Sequence, residues 1–463
     1  MQPTTPAEYL DAVRTPSDVL SVADDGSLAV DGLRVADLLT QFGSPLYIAC
    51  ESTLRSNFRR IRQAFTAEWP APVNVLYAIK ANNNPAIRAI LHQEGAGGDC
   101  FGLGELHITF VGGADPDLIV VNGSSKTYEE LEAAVARGVS INVDDEAEVD
   151  DLADIARRTG KTVRVNLRLK IVPASFARHG SDYFGVQRDV ATHLRAWKWG
   201  FSPEAARHLI ERIRGTPGLR LTGYSAHSGR VTTNPKAVGD YAEELGRVVA
   251  QLAQATGFKP AVLDIGGGWP RQRDPESRSL ALNPRPIEAY AREATHRLLS
   301  PLQEAGIPAP QLWLEPGRFI VGNALLLAGR VGRIKRDLGH VWVNADFSTN
   351  NVMRVDTSGS AYHILAASGM HRPFSGTGRV VGPTCAESLL AEDWSMPENL
   401  RSGEPIVLLD AGMYAETTST QLNGIPRPAT VLVGGGRAEI IKERETVDDV
   451  FAKCRVPARL AMT

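Results

Sequence analysis

Residues 73–95 read VNVLYAIKANNNPAIRAILHQEG, and they set the rhythm of the first two thirds of the chain. Residues 73–79 are a short, nearly continuous apolar run, the pattern of a strand buried on both faces. Residues 85–95 place apolar side chains at helical spacing. The same alternation then repeats. Residues 118–121 are followed by a helix announced by Thr127 and Glu130, which have the spacing of a capping box. Residues 140–143 precede a helical stretch at 147–159, with Gly160 as its stop. Runs at 163–169, 219–227, 261–265 and 311–314 continue the series, and a weaker strand falls at 98–101. Helical segments such as 237–256 fill the longer gaps. About eight strand–helix units over about 250 residues is the size of a (β/α)8 barrel. A doubly wound open sheet has similar periodicity, so the pattern alone leaves it open.

The rest of the chain has a different texture. Residues 1–44 are more polar and stand outside the repeat. After about Ala324, short apolar runs at 325–331, 341–343, 380–381, 405–409 and 429–433 are separated by Gly, Pro and Asn. That predicts a separate β domain, a sandwich or barrel. The expected division is an N-terminal segment 1–44 packing with the C-terminal domain, a barrel at 45–323 and a β domain at 324–463. Residues 193–203 (HLRAWKWGFSP) carry two tryptophans in a basic context. A lid or an interface is one reading, and a surface helix packing its aromatics inward is the expectation.

Composition narrows the function. A chain of 463 residues predicts two or three domains. A hydrophobic fraction of 43% with 22% charged residues excludes disorder for most of the length. Lys and Arg number 50 against 53 Asp and Glu, so there is no global basic field to hold nucleic acid or an acidic membrane. No apolar run approaches the roughly 18 residues of a membrane span. Residues 1–16 lack the basic start and apolar stretch of a secretory signal. Cys50, Cys100, Cys385 and Cys454 form no CxxC pair, which argues against zinc and a disulfide framework and for the cytoplasm. The histidines are scattered without ligand spacing, so no metal is expected.

In a (β/α)8 barrel, chemistry sits at the C-terminal ends of the strands. There the sequence places Lys80 (YAIK), His227 (YSAH), Gly266, Gly267 and Gly268 (LDIGGG), and Glu315, Gly317 and Arg318 (LEPGR). Alone, a strand-end lysine is usually a solvated charge and a triple glycine a tight turn. Their joint registration calls for a common cause. A lysine in a closed, partly apolar mouth can act as a Schiff-base nucleophile. Bare glycine backbone can approach a phosphate. A carboxylate can pair with a pyridinium nitrogen. Together these describe a site for pyridoxal 5'-phosphate.

YAIKAN at Lys80, HxG at His227, GGG at Gly266, EPGR at Glu315, GPTC at Gly382 and DAGMY at Asp410 occur in that order. Over about residues 45–440 the chain resembles the fold-type III pyridoxal phosphate decarboxylases, the group of diaminopimelate, ornithine and carboxynorspermidine decarboxylases. GGDCFGLGEL at 97–106 and DYFGV at 182–186 look like further blocks of that family. RPATVLV at 427–433 looks closest to the diaminopimelate branch.

The resemblance implies that Lys80 holds the cofactor, that His227 stacks on its pyridine face, and that Gly266, Gly267 and Gly268, with Gly229 nearby, cradle its phosphate. It implies that Glu315, with Gly317 in the same turn, keeps the ring nitrogen protonated, and that Tyr414 reaches the cofactor or substrate. Arg318 matches a substrate-carboxylate ligand. Cys385 matches a cysteine supplied by the partner subunit of a homodimer, where it acts as general acid. A protonated ring is a strong electron sink, so Glu315 argues for decarboxylation of an amino acid over racemisation. Lys80 and Cys385 together argue against a non-catalytic homologue.

The departures lie on the substrate side. Diaminopimelate decarboxylases follow the cysteine directly with a glutamate. Here Ala386 intervenes and Glu387 is displaced by one residue, which turns a side chain to the other face of an extended segment. Arg354 sits about one position from the family's arginine, and Gly359 stands where a tyrosine is usual. Arg230 replaces the serine after HxG, and could hold phosphate or a substrate carboxylate or be a surface cation. The expectation is a decarboxylase with an altered distal pocket, Glu387 and Arg354 being the candidate distal ligands. Diaminopimelate is its default substrate, with another amino acid or a carboxylated polyamine as the alternative.

Overall fold

The computed structural model describes residues 2–184, 189–229, 233–274, 278–352 and 361–460. Arg230, Arg354, Gly359 and part of the DYFGV block lie outside them. The chain forms two compact units, one of Leu54–Gln272 with Ala281–Val321 and one of Met1–Thr53 with Arg273–Leu280 and Gly322–Thr463.

The first unit is a closed barrel of eight parallel strands: Val73–Ala78, Gly97–Phe101, Ile119–Asn122, Ser140–Val143, Val163–Leu169, Leu219–Ala226, Val262–Asp264 and Gln311–Leu314. The last strand closes on the first, with Leu312 opposite Val73 and Leu314 opposite Val75. Closure removes the open-sheet alternative. The local signals act as expected. Thr127 and Glu130 form a reciprocal capping box on Tyr128–Arg137. The helix Glu148–Thr159 ends on Gly160 at φ 67, a left-handed conformation that glycine adopts without a Cβ penalty. Pro235–Thr256 and Ile287–Glu304 are long helices of this unit, and the first buries Leu245, Val249 and Leu252. No helix among the described residues is long and apolar enough to cross a membrane.

One sequence expectation changes here. The helix Val190–Arg195 ends before either tryptophan. Trp197 and Trp199 follow in irregular backbone and meet edge to face, with centroids 5.5 Å apart. The Trp197 ring lies against Gly229, where a Cβ would stand 1.9 Å from it. The aromatics therefore pack on the barrel mouth instead of on a helix face.

The second unit is built on a nine-stranded mixed sheet, with a small three-stranded sheet at its N-terminal end. Leu46–Cys50 lies inside the mixed sheet, antiparallel to Leu325–Asp337 and parallel to Ala429–Gly434. The barrel unit therefore begins at Leu54, where the sequence placed its start at residue 45. The cause is physical: LYIAC is buried at every position, and such a run reads alike in either kind of sheet. Leu10, Val13 and Leu38 of the N-terminal segment share one core with Leu326, Leu365, Val407 and Val431. Leu389–Pro397, a strand the sequence reading lacked, pairs with Phe374–Val381 through three register shifts. Glu392 and Asp393 interrupt its apolar pattern.

Candidate active site

Within the barrel unit, one end of the strands gathers the polar residues. Lys80 sits in a single 3₁₀ turn, Ile79–Ala81, directly after the first strand. Its Nζ donates to Asp99 Oδ2 at 2.5 Å and lies 4.7 Å from the Phe101 ring centroid. Asp99 belongs to the second strand and is fully buried. The turn that carries Lys80 is braced from behind by the Glu315 segment. Ala78 N–H donates to Pro316 O at 3.2 Å, and a Cβ on Gly317 would come within 2.7 Å of Ala81 Cβ. Gly317 therefore lets the two turns touch. Arg318 follows, half-buried, at the start of the short helix Arg318–Val321.

The triple glycine extends the seventh strand. Gly266 N–H donates to Asp264 Oδ1 at 2.8 Å, and Glu315 N–H donates to Gly266 O at 2.9 Å. A Cβ on Gly267 would stand 2.2 Å from the Glu315 carbonyl oxygen, and one on Gly268 2.5 Å from the Gly229 carbonyl oxygen. Gly229, Gly266 and Gly268 all have φ between 73° and 85°. These turns are bare backbone because no side chain fits. Gly229 N–H donates to His227 Nδ1 at 3.3 Å, which leaves the ring proton on Nε2. Burial, then the Arg168 and Lys80 cations, push His227 down to about 3, so its ring is neutral.

Glu315 is buried and accepts a hydrogen bond from Asn122 Nδ2 at 2.7 Å. Burial and the nearby Asp99 charge push it up to about 7, against Lys80 and Arg168. Asp264 is fully buried beside it, and its Oδ2 meets no donor. Burial first, then the Glu315 charge, hold Asp264 well above the usual carboxylate range. Two buried carboxyls without a cation between them share a proton. Burial and their mutual repulsion hold both carboxyls above their ordinary range.

Lys80, His227, Gly229, Gly266, Gly267, Gly268, Glu315, Gly317 and Arg318 thus stand together at one end of the barrel. Sequence reasoning missed Asp99, Asn122 and Asp264, and placed Trp197 on a helix face and not at the barrel mouth. Their signals were weak but present: an acid inside each of two buried strands, and a glycine whose missing Cβ must face something large.

The remaining candidates belong to the second unit. Cys385, Ala386 and Glu387 are exposed at the tip of a loop between Phe374–Val381 and Leu389–Pro397. Its base is closed by Gly382 N–H donating to Ser388 O at 3.1 Å and by a Thr384–Ser388 hydroxyl pair. Asn423 steadies the tip: its Oδ1 accepts from Cys385 N–H at 2.9 Å, and its Nδ2 lies 3.4 Å from Sγ. The Glu387 side chain is 75% exposed, with Arg379 3.7 Å away, so this chain alone gives it no firm partner. Tyr414 is half-buried with a φ of 56°. The described residues contain no group of His, Cys, Asp and Glu placed to hold a metal.

Comparison with known proteins places this arrangement. Residues 51–322 match the family model described as pyridoxal-dependent decarboxylase, pyridoxal binding domain. The chain is 33% identical to a diaminopimelate decarboxylase of Methanothermobacter thermautotrophicus, over 95% of this chain and 98% of that one. It is 32% identical to the diaminopimelate decarboxylase of Archaeoglobus fulgidus, over 94% and 98%. The crystal structure of diaminopimelate decarboxylase from M. jannaschii in complex with L-lysine superposes with a TM-score of 0.85 at 25% identity, covering 96% of this chain and 99% of that one.

Proposed function

The chain belongs to the pyridoxal-dependent decarboxylases, and on that premise we propose how its residues divide the release of CO2 from an α-amino acid. The enzyme is an amino-acid decarboxylase that uses pyridoxal phosphate. Its barrel fits that group. The glycine turns are bare backbone, and since the Gly229 and Gly266 N–H groups are engaged by His227 and Asp264, those of Gly267 and Gly268 are the ones that would meet a phosphate. Glu315 is a buried carboxyl that accepts from Asn122, an acid of the kind that suits a pyridinium nitrogen. When bound, pyridoxal phosphate supplies an electron sink for the electron pair left on the α-carbon.

The observation that carries the reading is the line Lys80–Asp99–Asn122–Glu315 beside the glycine turns. Lys80 is the residue that would hold the cofactor, through its Nζ. Asp99 holds the Lys80 nitrogen on one side. His227, neutral and held through Nδ1, offers a flat face for the cofactor ring. Arg318 receives the substrate carboxylate, and Tyr414 contacts cofactor or substrate. The enzyme works as a homodimer in which the partner subunit's Cys385 delivers a proton to the α-carbon after CO2 has left. The exposed thiol on an anchored loop supports that role.

The substrate pocket at the distal end departs from a diaminopimelate site, because Ala386 displaces Glu387. Purified protein with added pyridoxal phosphate should release CO2 from at least one member of a panel. The panel is meso-diaminopimelate, both chiralities of lysine, ornithine and arginine, and carboxylated polyamines, with Lys80→Ala as control. Release from meso-diaminopimelate far above all others would end the altered-pocket proposal. No release from any member would end the division of roles.

A further inference from the structure

Asn122 ends the third strand, buried and facing two acids. Its Nδ2 donates to Asp99 Oδ1 at 2.8 Å and to Glu315 Oε1 at 2.7 Å. One amide nitrogen therefore serves both the partner of Lys80 and the carboxylate beside the glycine turns. Its other end is not free either. Asn142 of the fourth strand donates from Nδ2 to Asn122 Oδ1 at 2.9 Å. Asn166 of the fifth strand donates to Asn142 Oδ1 at 3.0 Å. Thr222 of the sixth strand donates its hydroxyl to Asn166 Oδ1 at 2.7 Å. Asn142 and Asn166 are fully buried and sit opposite one another in the strand register.

The direction of this chain follows from chemistry. Ionised carboxylates only accept, so Asn122 must turn its N–H groups toward Asp99 and Glu315. Its carbonyl oxygen then requires a donor, which sets Asn142, and Asn142 in turn sets Asn166. Every amide dipole in the series points its positive end toward the acids. Aligned hydrogen bonds in a low-dielectric interior reinforce one another. We propose that Asn122 is a positioning residue shared by Asp99 and Glu315, oriented by a chain of amides that runs around the barrel interior through Asn142 and Asn166 to Thr222. The inference rests on the cofactor reading above. It adds that the lysine end and the ring-nitrogen end of the site are tuned by one amide.

The test is the pH titration of the visible absorbance of cofactor bound to the full-length protein, wild type against Asn122→Leu and Asn122→Ser. Leu keeps the volume and removes the donors, and Ser keeps a single O–H for one of the two acids. The groups facing this point are Lys80, Asp99, Asp264, Glu315, Glu105 and Arg168. Without the amide, the anionic form of Glu315 is less favoured, and a cationic ring opposite it loses its proton more readily. The absorbance midpoint should fall by about one pH unit in Asn122→Leu, the scale of one hydrogen bond to a charged group. It should fall less in Asn122→Ser, and less again in Asn142→Leu, which only loosens the orientation. A cofactor-loaded Asn122→Leu or Asn122→Ser protein with the wild-type midpoint would overturn the inference, and reduced thermal stability alone would not rescue it. Wild-type protein that binds no cofactor at Lys80 would overturn the functional reading first.

Discussion

The two units carry their candidate residues in opposite ways. In the barrel, Lys80, Glu315 and His227 each have a defined partner at hydrogen-bond distance, and Glu315 is buried. In the mixed-sheet unit, Cys385 and Glu387 stand exposed on a loop held at its base and, at Cys385, by Asn423. The contrast teaches where each demand falls. Holding one cofactor requires groups fixed before it arrives, and a barrel end supplies them from eight rigid strands. Exposed groups on a loop can shift by one residue without disturbing the fold. The Ala386–Glu387 shift lies in the second kind of place.

The comparison breaks most sharply on activity. Lys80→Ala and Cys385→Ala should each be nearly silent alone, the cysteine variant losing on the order of 10²–10⁴ in kcat while keeping its cofactor absorbance. Mixed and allowed to exchange subunits, the two should regain activity, because one site of each heterodimer is then intact. Continued silence of a mixture proven to have exchanged would show that the thiol and the lysine do not come from different copies.

A smaller effect tests whether the sheet unit is as rigid inside as the barrel. There the buried Arg273 donates to Asp410 Oδ2 at 2.6 Å and to Asp18 Oδ2 at 2.7 Å, and Asn323 also donates to Asp18. Arg273→Leu strands two carboxylates without their cation, so denaturant unfolding should report a loss of about 3–5 kcal/mol. A loss below about 1 kcal/mol would mean that the triad contributes little and that the contrast between a stiff core and a loose loop is overstated.

The smallest effect concerns acid, and it compares one histidine from each unit. Burial lowers His227 to about 3 and His363 to about 4, from an ordinary value of 6.5. Both are neutral when folded and take up a proton on unfolding below about pH 6.5. The unfolded chain therefore binds more protons between pH 6.5 and these lowered values, and stability falls as pH drops through that window. His227→Asn and His363→Asn should each flatten the fall in the urea midpoint between pH 7 and pH 4. If either variant keeps the wild-type slope, that ring is not buried neutral in solution.

How much of this was legible follows from how local each signal is. The eight barrel strands, the Thr127–Glu130 cap and the strand-end residues Lys80, His227, Gly266 and Glu315 all lie in short stretches whose pattern is complete in itself. Leu46–Cys50 was harder, since nothing inside five buried residues says which sheet they join. Asp99 lies within GGDCFGLGEL, yet its importance depends on Lys80, 19 residues earlier. Trp197 was seen as an aromatic in a basic stretch, and only the missing Cβ at Gly229 says what it covers.

By itself the sequence determined the strand–helix alternation and the cofactor class, because periodicity and motif are properties of neighbours along the chain. Only the closed barrel decided that Asn122 meets Glu315 across 193 residues of sequence, and that Asn142 and Asn166 line up behind it. Which acceptor an amide finds depends on the register in which distant strands come together, and register is settled by packing in three dimensions.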